Sequence, residues 1–472
     1  MSIRFVKFVS LCVCGILLHL EAAACTLVLL SGKATADGRP LLLKNRDSSE
    51  APLVEMRMVK DEGFSYLAQF AVADSIYSGP WGGFNEKGFA IANSLSFNLK
   101  EGQGMGGNGD IIRKGLATCE TVDDFEQLLQ EMESPMDVMA NYAVFDAYGA
   151  AAIFEVGMSG YVKYDANDPS VTRRGILIRS NYSLSGDKAH MVGEDRYKIA
   201  SQYLQKRPDG TIVWEDLLLD LSRLLVNKDG IDLRDTPPES YDDETMVDFN
   251  GFIPRDISTN AMVIQGVKMG ESPLLTSCWT MVGPPMMTVA VPVMLTEELP
   301  SKTVSEGEGA WLCQKGRTLR DVVFAYPETP RVIDLSKLYN QKKTGVMQKI
   351  ISMENAVIAK GEQLIHELRE QGELTSSTLH AFYEWLDLYL DESYVLAFGG
   401  DGGGDEGCVN PLVMNGDLNH DNEVDISDVA ILVEIILTGM DVTAAADVNG
   451  DGVASIADVT AVVEMILGNK AQ

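Results

Sequence analysis

The sequence predicts a sheet-rich α/β domain, a helical extension and a small duplicated all-α module, and three observations point to this fold class. Short β-type runs mixed with helical patterns fill the chain from Cys25 to about residue 295. An amphipathic stretch follows from about residue 345. Past a Gly/Asp-rich linker, one acidic unit occurs twice at a spacing of thirty residues.

The elements follow in chain order. Residues 1–24 carry Arg4 and Lys7, an apolar run from Phe8 to Leu20, and Ala22-Ala23-Ala24 ahead of Cys25. That is the pattern of a secretory signal peptide cleaved after Ala24. The run is too short to span a bilayer and no later stretch reaches the required length, so no transmembrane segment is expected. The product is expected outside the cytoplasm: secreted, periplasmic or at the cell surface. A net charge of -31 over 472 residues leaves no clustered cations for phosphate and excludes a nucleic-acid partner. Of seven cysteines, Cys12 and Cys14 leave with the leader, and Cys25, Cys119, Cys278, Cys313 and Cys408 remain. Disulfides are permitted there. With Cys25 as the free thiol the other four can pair; alternatively all five are isolated buried thiols.

Thr26 to Leu30, Leu41 to Lys44, Phe89 to Asn93, Ala151 to Val156, Ile176 to Ser180, Ala261 to Gly266 and Val289 to Met294 read as strands. Helical patterns intervene at about 109–132, 194–206 and 214–227. Val346, Ile350, Met353, Val357, Ile358, Leu364, Ile365 and Leu368 then recur near a 3.6 period, and a second helix is expected from about 376 to 391. These make a helical hairpin packed on the preceding domain. The expected boundaries are a catalytic domain over 25–330, the helical extension over 331–398, a linker over 399–411 that cannot pack a core, and a terminal module over 412–472.

In that module the first loop places Asp417, Asn419, Asp421, Glu423, Asp425 and Asp428 at positions 1, 3, 5, 7, 9 and 12. The second places Asp447, Asn449, Asp451, Val453, Ser455 and Asp458 at the same positions. Side-chain oxygens fall at 1, 3, 5, 9 and 12, and a backbone carbonyl serves position 7, which is how a hard cation collects its oxygens. An apolar helix follows each loop. A loop and one helix, twice over, resembles a type I dockerin module. The resemblance implies two bound Ca2+ ions and a cohesin-like protein partner. Residues 415–472 hold eleven acidic residues against one lysine, so folding of the module is expected to be coupled to metal.

The front end carries the chemistry. Cleavage at Ala24 exposes an α-amine on Cys25, and an amine that titrates near neutrality serves as base for its own thiol. The strand after Cys25 and the one ending in Asn45-Arg46-Asp47 form a hairpin with an Asp37-Gly38 turn, returning those residues to the thiol. A Cys-Thr start, an Asp-Gly turn and an Arg-Asn-x-Asp-like end resemble the N-terminal-nucleophile (Ntn) hydrolases that include choloylglycine hydrolases, penicillin V acylases and the acyl-coenzyme A:6-aminopenicillanate acyltransferase group. Asn85-Glu86-Lys87-Gly88-Phe89-Ala90-Ile91-Ala92-Asn93, the strands around Asp146 and Glu155, Ser180-Asn181 and Glu194-Asp195-Arg196-Tyr197 extend the likeness over about 25–295.

The resemblance implies an αββα four-layer sandwich, no catalytic cofactor, and cleavage of linear amides. It makes Cys25 nucleophile and base and Asp47 the holder of the amine. Asn181 and Asn93 become oxyanion donors, each worth about 3 to 4 kcal/mol in the barrier, and Arg196 a support of the nucleophile. The pattern departs at Leu43-Lys44-Asn45-Arg46-Asp47, where the family has Gly-Arg-Asn-x-Asp. Lys44 has taken the arginine's place, or Arg46 swings in; lysine lacks the planar fork. Asn93 also falls two residues earlier than in choloylglycine hydrolases. Two other readings stay open: a dipeptidase with a Cys-Thr start, and a non-catalytic interaction protein lipid-anchored through Cys25.

Overall fold

The structure is a computed structural model that describes residues 23–60, 63–73, 79–99, 107–132, 138–305, 307–324, 331–399, 416, 418, 424, 426–438, 446–449 and 453–469. Residues 1–22, which hold most of the expected leader, lie outside these, as do Cys408 and most of the expected linker. Fifteen strands are described, beginning with β1 (Ala23–Leu30), β2 (Leu41–Ser48), β3 (Val54–Val59), β4 (Tyr66–Ala71), β5 (Gly82–Asn85), β6 (Ala90–Leu95), β7 (Ala140–Phe145) and β8 (Ala151–Gly157). They continue as β9 (Gly160–Asp165), β10 (Ile176–Arg179), β11 (Met246–Asp248), β12 (Ser258–Gln265), β13 (Ser277–Met281), β14 (Val291–Met294) and β15 (Val332–Asp334).

One sheet has six strands in the order β10-β1-β2-β12-β13-β14, and the other is a seven-stranded meander from β3 to β9. Both are antiparallel throughout. β1 and β2 lie against β6 and β7, so the sheets face each other. Leu27 to Leu30 and Leu41 to Leu43 are buried without alternation, as expected of strands covered on both faces.

Helices α1 (Asn108–Thr118) and α2 (Val122–Glu131) cover the outer face of the seven-stranded sheet, with Phe125 in a core shared with Tyr142 and Phe154. On the other side lie α3 (Glu194–Gln205), α4 (Trp311–Val323), the short α5 (Leu335–Leu338), α6 (Val346–Gln371) and α7 (Ser376–Phe398). Ile350, Val357, Leu386 and Leu390 of the extension belong to the same core as β1 and β2. The domain is thus an αββα sandwich, and the hairpin of long helices is part of its outer layer.

Three expectations change. The helical pattern at 109–132 is two helices, because Thr121 caps the second: Asp124 N donates to Thr121 Oγ1 at 3.0 Å and Thr121 N to Asp124 Oδ2 at 2.8 Å. The stretch 214–227 forms a π turn at Asp216–Asp220 and a 3-10 turn at Leu221–Arg223, not a regular helix. Arg223 there is drawn aside by Glu354 and the carbonyls of Pro285 and Thr288. The β1–β2 hairpin closes through residues 31–40, and Thr35 in it bridges Ile212, so Asp37-Gly38 is one bend of a longer connection.

The tail contributes α8 (Ile426–Thr438) and α9 (Ile456–Asn469), packed together around Leu432, Ile435 and Val462. No helix among the described residues is long and apolar enough to cross a membrane.

Candidate active site

The site sits where β1 begins and β2 ends. Their register pairs Ala24 with Asp47, Cys25 with Arg46, Thr26 with Asn45 and Leu27 with Lys44. Directly paired residues share a face of a sheet and successive ones alternate. Cys25, Arg46 and Lys44 therefore lie on the face that meets the seven-stranded sheet, and Asp47, Asn45 and Thr26 on the opposite one. Asn93 enters from β6, Asn181 from just beyond β10, and Arg196 from the first turn of α3.

All six expected residues gather here. The Cys25 nitrogen, a peptide N–H in the chain that still carries Ala24, donates to Asn181 Oδ1 at 2.8 Å. Arg196 donates to the same oxygen at 2.7 Å, to Thr26 Oγ1 at 3.2 Å and to the Cys25 carbonyl. Asn181 Nδ2 goes to the Leu95 carbonyl at 3.1 Å. The resemblance implies that Asn181 donates to an oxyanion; its oxygen faces the nucleophile's nitrogen, and one of the two Nδ2 protons is taken by the Leu95 carbonyl.

Asp47 is fully buried. Its Oδ1 accepts from Ser258 Oγ at 2.6 Å and Asn45 Nδ2 at 3.3 Å. Oδ2 stands 3.7 Å from Arg255 and lacks a hydrogen-bond partner among the described residues. Burial raises the Asp47 carboxyl above the usual carboxylate range, against the pull of Arg255, Arg196 and Ser258. Burial likewise lowers Arg196, opposed by Asp47 and Cys25.

Arg46 lines the same cavity as Cys25. Its guanidinium lies on the Trp81 ring, 3.4 Å from the centroid, and donates to Thr259 Oγ1 at 3.0 Å. The buried cation is Lys44, whose Nζ donates to the Trp81 carbonyl at 2.7 Å and to Asn93 Oδ1 at 2.8 Å. Burial brings Lys44 down to about 8, partly opposed by Cys25 and reinforced by Arg46. A cavity of about 290 Å³ opens here, walled by Cys25, Lys44, Arg46, Trp81, Asn93 and Asn108 among others. It is at the small end for a ligand pocket.

Sequence reasoning passes over Ser258, Arg255 and Trp81. Nothing marks Ser258, 211 positions from the Asp47 it touches. Lys44 does carry a signal, as the first charge after the apolar run Leu41–Leu43.

Cys25, Cys119, Cys278 and Cys313 are buried free thiols, so the described residues contain no disulfide. Burial pushes Cys119 up to about 11 and Cys278 higher still, as for inert core thiols.

In the tail, Asp417, Asn419, Asp421, Glu423, Asp425 and Asp451 lie outside the described residues. Asp428, Asp447, Asn449, Val453, Ser455 and Asp458 lie within them. Asp428 and Asp458 are buried and close their loops: Asp428 Oδ1 accepts from Leu418 N at 2.7 Å, and Asp458 Oδ1 from Asn449 N at 3.0 Å. Ser455 N donates to Asp458 Oδ2 at 2.8 Å. Asp447 and Asp458 are both withdrawn from water in one loop, and an all-oxygen donor set of this kind fits a hard cation. Among the described residues, however, no three His, Cys, Asp or Glu side chains are gathered for a metal.

Residues 34–183 match the family model of acyl-coenzyme A:6-aminopenicillanic acid acyl-transferase, and residues 415–467 that of the dockerin type I domain. No curated protein matches the chain. Among solved structures it is similar to an N-acylethanolamine-hydrolyzing acid amidase ortholog from Caenorhabditis elegans, at 12% identity over 53% of this chain and 93% of that one, TM-score 0.36. It is also similar to a mutant conjugated bile acid hydrolase from Clostridium perfringens, at 13% identity over 58% and 93%, TM-score 0.32. A third likeness is to penicillin V acylase from Agrobacterium tumefaciens, at 12% identity over 60% and 89%, TM-score 0.33. Overlaps this loose carry no argument about the chain. The two family models, with the αββα layering, do: residues 34–183, within the sandwich, are similar to an acyl-transferase family of enzymes, and residues 415–467 to the type I dockerin domain.

Proposed function

We propose that the mature protein is an exported cysteine hydrolase of linear amides, with Cys25 at its N-terminus as both nucleophile and base. The observation that carries this is the acceptor already seated on the Cys25 nitrogen: Asn181 Oδ1 takes the Cys25 N–H at 2.8 Å, while Asp47, paired in register with the neighbouring Ala24, holds a buried Oδ2 without a hydrogen-bond partner among the described residues. A peptide nitrogen needs one acceptor; an α-amine in the same place has more protons to give. With leader residues 1–24 removed, Asn181 and Asp47 hold that amine, and Arg196 fixes Asn181 and the Cys25 carbonyl.

The amine takes the thiol proton as sulfur attacks the amide carbonyl carbon. The tetrahedral oxyanion is met by Asn93. Collapse breaks the C–N bond, the amine's proton passes to the leaving nitrogen, and a thioester remains on Cys25. Water then frees the acid, or a second amine takes the acyl group. The 290 Å³ cavity favours a small acyl-amide substrate. In the dockerin module, Ca2+ would be held by Asp428, Asp447, Asn449, Val453 (carbonyl), Ser455 and Asp458 with their loop partners, neutralising the loops so that the helices present a surface to a cohesin-like partner.

Intact-mass and N-terminal analysis of the exported protein is the test. A free Cys25 amine, turnover on an acyl-amide panel, and no turnover by Cys25→Ala are expected. A retained leader or a lipid adduct on Cys25 in the active form sinks the proposal, and preference for dipeptides would move it to the dipeptidase reading.

A further inference from the structure

Lys44 is the most heavily buried lysine near the cavity, with about 2% of its surface exposed. Among the described residues its two hydrogen bonds go to neutral oxygens, the Trp81 carbonyl and Asn93 Oδ1, at 2.7 and 2.8 Å. An ammonium taken out of water without a carboxylate against it costs stability. Perturbed, buried cations beside a cleft are candidates for function.

The geometry indicates which function. Lys44 rises from β2 in one sheet, Asn93 belongs to β6 in the other, and Trp81 precedes β5, so one ammonium fastens both walls of the cavity. A carboxamide has one accepting and one donating end, diverging from the same carbon. An ammonium on Oδ1 fixes which end is which, because the flipped amide would set NH2 against NH3+. With Oδ1 committed to Lys44, Nδ2 is the end left for the cavity.

We propose that Lys44 is a positioning residue, which acts by locking the Asn93 amide in the flip that offers Nδ2 to the oxyanion formed at Cys25; this rests on the reading of Cys25 as nucleophile. The same ammonium ties Asn93 to the segment whose Trp81 ring carries Arg46. Charge near the sulfur is then a secondary effect of Lys44.

The experiment is a double-mutant cycle on the mature full-length protein with Lys44→Met and Asn93→Ala, read as kcat and KM, together with the rate of Cys25 alkylation by iodoacetamide. Each single change is expected to lower kcat about 100-fold, the scale of one lost oxyanion donor, with little effect on KM. The pair together should fall no more than about threefold below the worse single, because residues acting through one another are not additive. Alkylation should slow by less than about threefold in Lys44→Met, since the donor and not the sulfur is disturbed. Multiplicative losses, or alkylation that collapses along with kcat, overturn the proposal. Should Lys44→Met not fold, Lys44→Gln keeps a neutral donor for Asn93 Oδ1. Retention of kcat within about tenfold of wild type then supports the lock, and loss as deep as in Asn93→Ala overturns it. Turnover surviving Cys25→Ala would sink the underlying reading; turnover lost in Cys25→Ala but kept in Lys44→Met sinks this inference alone.

Discussion

Arg196 donates from one planar group to three acceptors: Asn181 Oδ1, Thr26 Oγ1 and the Cys25 carbonyl. A lysine there keeps the charge and loses the fork. Arg196→Lys is expected to lower kcat about 100-fold through a displaced Cys25 backbone, a scale set by what small misplacements cost. Steady-state kinetics check it, and a change under about twofold would show that the fork is not needed. Lys44 makes a different prediction, about pH and stability. Its folded-state pKa of about 8 lies below the ordinary lysine value of 10.5. Between those values the unfolded chain holds a proton that the folded chain has released, so this group's contribution to stability rises with pH across that window and is least favourable below it. Urea unfolding of wild type against Lys44→Gln, from pH 7.5 to 10, should show the difference shifting toward wild type as pH rises. A pH-independent difference would mean that the ammonium is not disfavoured by the fold.

The elements differ in how they come to hold such residues. β1 and β2 are legible from their apolar runs, and the hairpin they imply returns the end of β2 to Cys25, so the order of residues alone puts Asp47 and Arg46 near the thiol. Register then decides what periodicity cannot: Asp47 takes the face opposite the sulfur, beside Ser258, and Arg46 turns to Trp81. Val54–Val59 and Tyr66–Ala71 are not among the expected strands, and Ala140–Phe145 is expected only through the resemblance around Asp146. Tyr66–Ala71 and Ala140–Phe145 are buried throughout, which erases the alternation that marks a half-exposed strand. Helix α6 is legible from its stripe, but its anchor is not. Glu354 in its middle accepts from Arg223 Nη2 at 2.9 Å and from Ala290 N at 2.8 Å, all buried. Glu354→Ala leaves the Arg223 charge buried without its carboxylate and is expected to cost about 3 to 5 kcal/mol. Chemical denaturation measures this. A loss below about 1 kcal/mol would mean that Arg223 is rescued by the Pro285 and Thr288 carbonyls alone.

At the scale of the whole molecule, cores of unlike origin share one chain. The αββα sandwich is held by two apolar clusters, the larger of which includes the long helices, and its folding is expected to be independent of the tail. Among the described residues the tail buries five apolar side chains, and residues 415–472 carry a net charge of -10, so the module is expected not to overcome its own repulsion unaided. Metal dependence should therefore be confined to one end. Calorimetry of the full chain in Ca2+ should show two transitions, and chelation by EGTA should abolish or lower the smaller while the larger stays put. Turnover should be the same in both conditions, because no step at Cys25 is routed through the loops. If EGTA instead lowers the main transition or slows turnover, a cation is bound within the sandwich itself, and catalysis and docking are not separate.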